Sequence, residues 1–191
     1  GNLLGAQQHG HIASVGFEMY CKLLEEAVER LQNGKAPEEA PPEPVIDLQT
    51  EAYIDGDFIA DAMHKIEIYQ RIAAIRSNEE IRSLLDELID RFGAPTAPVM
   101  HLLEVARIKN YARNLGIRAI KELPLALDIY FLPKKRMPAK GMLELANLFG
   151  KRMRSLPDKN GLRFALSDRY KKKITNFVTR LLMIASGDEE A

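Results

Sequence analysis

The chain has no tryptophan and only one cysteine, Cys21, in 191 residues. A lone thiol excludes an internal disulfide framework and suits a reducing cytoplasm. Long apolar runs are lacking too. No stretch approaches the roughly 20 consecutive apolar residues of a membrane span, and the first residues lack the basic-then-apolar order of an export signal. A cytoplasmic protein without a membrane partner is expected. The chain starts at Gly1, without methionine and in mid-motif, so it reads as a fragment cut from something larger.

Catalytic signatures are equally scarce. There is no Gly-x-x-x-x-Gly-Lys-[Ser/Thr] phosphate loop, no His-Glu-x-x-His and no Cys-x-x-Cys. Ser, His and Asp occur, but never in the context of a nucleophile elbow. His9 and His11 lack a nearby Cys, Asp or Glu, which leaves too few ligands for a closed metal site. Asp86-Glu87-Leu88-Ile89-Asp90 is similar in composition to the acidic box of helicases. That box holds magnesium at the end of a strand, whereas this one lies inside an amphipathic helix. The fragment alone is therefore expected to be no enzyme, with no metal and no cofactor.

Charge is abundant but unevenly placed. The net charge is zero, yet residues 1–90 hold 7 Lys+Arg against 18 Asp+Glu and residues 91–191 hold 20 against 9. Attraction of the two halves across the fold accounts for this pattern. The alternative is two oppositely charged surfaces for different partners.

The chain is organised around residues 77–98. Ser77 and Glu80 have the spacing of a capping box, which stabilises a helix start by about 1 kcal/mol. Ile81, Leu84, Leu85, Leu88, Ile89 and Phe92 then fall on one helical face. Their burial is worth on the order of 10 kcal/mol before chain entropy is subtracted. Gly93 is suited to the left-handed conformation that ends a helix, and Pro95 prevents its resumption. Asp86, Glu87, Asp90 and Arg91 occupy the opposite, wet face.

Before this helix, residues 1–16 read as a glycine-punctuated loop, and Phe17 to Leu31 as an amphipathic helix ending near Gly34. Residues 34–44 carry four prolines and three glutamates, so they form a spacer that cannot build a core. Val45 to Ala52 alternates like a strand with one wet face. Asp55 or Asp57 is expected to cap a helix with two apolar stripes: Ile59, Ala62, Met63, Ile66, Tyr69 and Ala73, then Ile68, Ile72 and Ile75. His64 beside them is expected to be a satisfied surface or core-edge residue.

Beyond the organising helix, Val99 to Leu115 is helical with a drifting apolar face, as for a helix through the middle of a fold, and Gly116 stops it. Ile117 to Ile120 and Leu125 to Phe131 read as strands, and Pro138 starts a helix that Gly150 ends. Asp158-Lys159-Asn160-Gly161 signals a hairpin turn between Met153–Leu156 and Leu162–Leu166. Ser167 or Asp168 caps a last helix, and 186–191 should fray. The predicted fold is α+β: a small mixed sheet packed with about five helices over 45–185, preceded by a separate N-terminal helix (1–33) and the Pro/Glu-rich linker (34–44).

Basic clusters stand at Lys134-Lys135-Arg136, Lys151-Arg152-Met153-Arg154 and Arg169 to Lys173. In the last, cations in a helix's first turn would oppose its dipole. A solvated face explains such runs. The alternative is contact of Arg169, Lys171, Lys172 and Lys173 with nucleic acid or an acidic partner, which salt would weaken steeply if the contacts are to phosphates.

The residues also resemble a family. Asn2-Leu3-Leu4-Gly5, Gln8-x-Gly10-His11-Ile12, Val15-Gly16-Phe17 and Tyr20 are similar to the tail of the motor module in bacterial transcription-repair coupling factors. Tyr53-Ile54, Ile68-Tyr69-x-Arg71-Ile72-Ala73, Glu87-Leu88-Ile89-Asp90-Arg91-Phe92-Gly93 and Leu115-Gly116-Ile117 resemble their C-terminal domain. The match covers most of residues 2–120; beyond 121 only the order of elements supports it. It departs at Asp55-Gly56, where the family usually has proline after the isoleucine.

The resemblance implies a parent that is an ATP-driven DNA translocase, a helicase-type hydrolase using ATP and magnesium in its motor. That parent would push stalled RNA polymerase off damaged DNA and recruit the excision-repair protein UvrA. It implies a non-catalytic C-terminal domain that folds back on an N-terminal UvrB-like domain, hides the UvrA-binding surface and restrains the motor. Interface positions fall on Glu87, Asp90 and Arg91, and the glutamine of the translocation motif on Gln8. The arginine-bearing residues that accompany that glutamine would precede Gly1, so the fragment is not expected to translocate. The rival readings are a nucleic-acid-binding accessory module using the basic half and an independent hydrolase, for which no constellation is found.

Overall fold

A computed structural model describes residues 42–188. The helix expected over Phe17 to Leu31, the loop expected before it and most of the expected linker fall outside the described residues. Contacts divide the rest into two compact units, one built on Thr50–Ala106, the other on Glu43–Gln49 with 107–188.

The first unit is helical. α1 (Ala62–Ala74) starts at Asp61, whose carboxylate accepts the His64 N–H at 2.9 Å. Neither Asp55 nor Asp57 caps it. Asp55 instead accepts a hydrogen bond from the Thr96 hydroxyl, and its carbonyl takes the Phe58 and Ile59 amides in a turn that precedes the helix. Only part of the expected double stripe is internal. Ile68, Tyr69, Ile72 and Ile75 are buried, while Met63 is 71% exposed because it lies in the solvent-facing first turn. His64 is exposed, with its ring 5.9 Å from that of Phe92.

α2 (Asn78–Phe92) begins at the expected cap. Ser77 Oγ accepts the Glu80 N–H at 3.2 Å, and the Glu80 carboxylate reaches the amide of Arg76 at 3.2 Å. Ile81, Leu84 and Leu88 are buried; Leu85 and Phe92 are half-buried. Ile89 departs from expectation, being 48% exposed. Gly93 ends the helix at φ +88°, ψ −164°. This is not the left-handed helical conformation but a glycine region in which the chain turns into an extended path.

α3 (Ala97–Leu115) is buried on almost every side, as its drifting pattern implied: Val99, Leu102, Leu103, Val105, Ile108, Ala112 and Leu115 are all internal. Its residues to Ala106 belong to the first unit and those from Arg107 to the second.

The second unit holds a five-stranded mixed sheet of order β1-β2-β3-β5-β4. β1 is only Val45–Asp47, shorter than the expected Val45 to Ala52, and pairs in parallel with β2 (Ile117–Leu123). β3 (Ala126–Phe131), β4 (Met153–Leu156) and β5 (Gly161–Ala165) complete the sheet by antiparallel pairing. The β4–β5 turn is the predicted one. Asn160 adopts the left-handed conformation, and its side-chain amide donates to the carbonyls of Leu132 (3.0 Å) and Lys135 (3.1 Å).

α4 (Ala139–Phe149) and α6 (Ile174–Ser186) pack on each other through Gly141, where an added Cβ would stand 2.2 Å from the Ala185 carbonyl oxygen. The last helix is in fact two. A single turn, α5 (Asp168–Lys171), is separated from α6 by Lys172 and Lys173. Ser167 stands at the N-cap of α5 without a side-chain hydrogen bond. The described residues thus form an α+β fold with five strands and six helices.

Candidate interaction site

In the first unit, α1 and α2 place four charged side chains in a ladder. The Arg71 guanidinium on α1 donates to the Glu87 carboxylate on α2. Arg91, one turn beyond Glu87, donates to Glu87 Oε2 at 3.2 Å and to Glu67 Oε1 at 3.1 Å. Glu67 and Arg71 are four residues apart, so they lie on the same helix face as successive rungs. Both guanidiniums bonded to Glu87, Arg71 first, hold its pKa below the usual carboxylate range; Glu67 and then Glu87 raise that of Arg91. The guanidinium of Arg91 also lies 4.8 Å above the ring of Phe92.

Two of the three residues expected at an interface therefore have partners within their own unit. They remain partly exposed, with 38% of the Glu87 side chain and 31% of Arg91 accessible. Asp90 is exposed on the outer face of α2, where Asp86, Ile89 and Asp90 form a stripe of two acids around one apolar side chain. The sequence reading missed both Ile89 and the Glu67–Arg71 rungs. The i, i+4 spacing of Glu67 and Arg71 was the available signal.

The basic residues meet in the second unit. Arg169, Lys172 and Lys173 from the α5–α6 segment join Arg152 and Arg180 around a cleft of about 840 Å³. Lys171 is not part of its lining. Burial raises the pKa of Glu122, as does the Asp47 carboxylate, against the Gln49 N–H and Lys171. α5 is a single turn that holds Arg169 and Lys171, while Lys172 and Lys173 stand at the start of the longer α6. The expected opposition to a helix dipole is therefore kept at the start of α6.

Asp128 on β3 was not anticipated. It is buried, with its carboxylate held by Arg163 Nε (2.7 Å) and Nη2 (2.8 Å) and by the Tyr130 hydroxyl (2.7 Å). Burial works to raise its pKa, but the Arg163 and Tyr130 hydrogen bonds outweigh it and the net shift is downward. Among the described residues no group of three or more His, Cys, Asp or Glu could hold a metal ion, and no helix is long and apolar enough to cross a membrane. Gln8, His9 and His11 lie outside the described residues.

Residues 48–142 match the family model described as the TRCF domain. The transcription-repair-coupling factor of Staphylococcus aureus (strain USA300) is 42% identical over 134 residues, a match covering 70% of this chain. The chain belongs to the TRCF domain family. The corresponding protein of Staphylococcus haemolyticus (strain JCSC1435) is 40% identical over 129 residues, covering 68% of this chain. The TRCF-domain chain spans only 12% and 11% of these two relatives. A crystal structure of the C-terminal domain of transcription-repair coupling factor superposes with a TM-score of 0.63 at 26% identity, covering 77% of this chain and 96% of that one. α2, with its charged ladder, lies within the matched segment of the TRCF domain.

Proposed function

We propose that this chain is the regulatory end of a transcription-repair coupling translocase and acts by binding rather than by catalysis. In this reading it docks on the UvrB-like domain of the same protein through Glu87, Asp90 and Arg91 on α2. While docked it masks the surface for UvrA and restrains the motor, where ATP and magnesium would bind. RNA polymerase and DNA are partners of the parent, and its setting is the bacterial cytoplasm. Residues 1–33 would be the end of the motor and 34–44 the tether.

The observation that carries this reading is the outer face of α2. Ile89 is exposed between Asp86 and Asp90, next to a ladder that already fixes Glu87 and Arg91 in place. An apolar centre with a polar rim is the ordinary anatomy of a protein interface. Exposed charge pairs are individually weak, as a latch that must open requires.

Calorimetry of the chain against a separately prepared UvrB-like domain tests the proposal. Replacing Glu87, Asp90 and Arg91 together by alanine is expected to leave the chain folded and weaken binding about tenfold or more. Unchanged affinity in a folded variant rules the site out.

A further inference from the structure

The cleft of the second unit has a chemistry that the α2 surface does not use. Its floor is apolar: Leu148 on α4 is 57% exposed, and Phe177 and Ile184 on α6 are half-buried. Its rim is cationic. Among the described residues no carboxylate forms an ion pair with Arg169, Lys172, Lys173 or Arg180, and Asp168 is the lone acid in the lining. α6 starts at Lys173 without a side-chain cap, and its first turn contributes Asn176 and Phe177 to the same cleft. Cationic side chains without an ion-pair partner around an apolar floor favour a carboxylate-bearing ligand.

From this arrangement we infer that the cleft between α4, α5 and α6 is a docking site for an acidic peptide segment carrying aliphatic or aromatic anchors. Its volume of about 840 Å³ suits side-chain anchors rather than a whole folded surface. The rings argue against single-stranded nucleic acid, which needs free aromatic faces for base stacking. Here Tyr170 lies 4.7 Å from Phe177, Phe149 lies 6.0 Å from Phe177 and 5.0 Å from Phe164, and the Arg152 guanidinium sits 5.2 Å over Phe149. The rings thus pack on one another and on Arg152, leaving Leu148 and Ile184 as the lining for aliphatic anchors. This site lies wholly in the second unit and does not depend on docking through α2.

The test is fluorescence anisotropy of the full chain with a labelled synthetic peptide alternating glutamate and leucine around one phenylalanine, and with labelled oligo-thymidine of equal length. Saturable peptide binding is expected. Arg180→Glu on the rim and Leu148→Asp on the floor should each weaken it about tenfold. Lys140→Glu, the same charge change at an exposed residue outside the cleft, should leave it unchanged. Circular dichroism checks that each variant is folded, and Arg180→Glu carries the test should Leu148→Asp fail to fold. Absence of peptide binding overturns the inference. So does an equal loss in Arg180→Glu and Lys140→Glu, which would mark mere charge attraction. Oligo-thymidine binding that Arg180→Glu abolishes and Leu148→Asp spares would assign the cleft to nucleic acid instead.

Discussion

Arg71 donates a hydrogen bond to Glu87 across the α1–α2 pair, so a side chain expected to grip another domain already has a partner in its own unit. An intramolecular partner competes with an external one for the same carboxylate. Arg71→Ala should therefore raise the affinity of the chain for a UvrB-like domain, by roughly two- to fivefold, the range of one exposed pair. The urea midpoint should barely move, because both side chains are partly exposed. Weaker binding in this variant would show that Arg71 orders Glu87 rather than competing for it.

The ends of α2 are separately testable. Ser77→Ala removes the acceptor of the Glu80 amide and should cost about 1 kcal/mol in urea denaturation. Gly93→Ala meets no atom within 4 Å, so its penalty is purely one of backbone conformation at φ +88°. A loss of roughly 1 to 3 kcal/mol is expected.

Gly141→Ala probes close packing in the second unit. Its new methyl group would collide with the backbone at Ala185 rather than with a side chain that could rotate away. Destabilisation of about 3 kcal/mol follows from overpacking, measured by urea or thermal unfolding. An unperturbed midpoint would mean that α4 and α6 are not held this close in solution.

The pH dependence of stability should carry the signature of Asp128. Its pKa is lower in the folded state than in the unfolded one, so the folded protein holds its proton less readily. The resulting stabilisation is fully present above the unfolded pKa and disappears as pH falls through the folded one. Asp128→Asn should lower stability at neutral pH and flatten the acid limb of a plot of urea midpoint against pH. Parallel curves for the two proteins would contradict this assignment.

Much of the fold was legible because its signals are local. The Ser77 cap, the Gly93 stop and the Asp158-to-Gly161 turn each act within a few residues. Ile89 was misplaced because periodicity defines a stripe but not its width, and residues at the margin are settled by what packs against them. In the sequence Asp128 is one polar residue in an apolar strand; its partner Arg163 is 35 residues away, and the sheet register alone brings them opposite each other. The division of the last helix at Lys172–Lys173 was hidden because lysine is a good helix former. That division also places Arg169, Lys172 and Lys173 at one cleft and leaves Lys171 out of it.

The docking claim is tested most directly by methyl NMR of the chain during titration with a UvrB-like domain. Reversible docking through the outer face of α2 predicts that the Ile89 methyl resonances shift progressively and saturably, while those of Leu148 and Ile184 stay still. Saturable binding that leaves Ile89 unmoved and shifts Leu148 or Ile184 would contradict it.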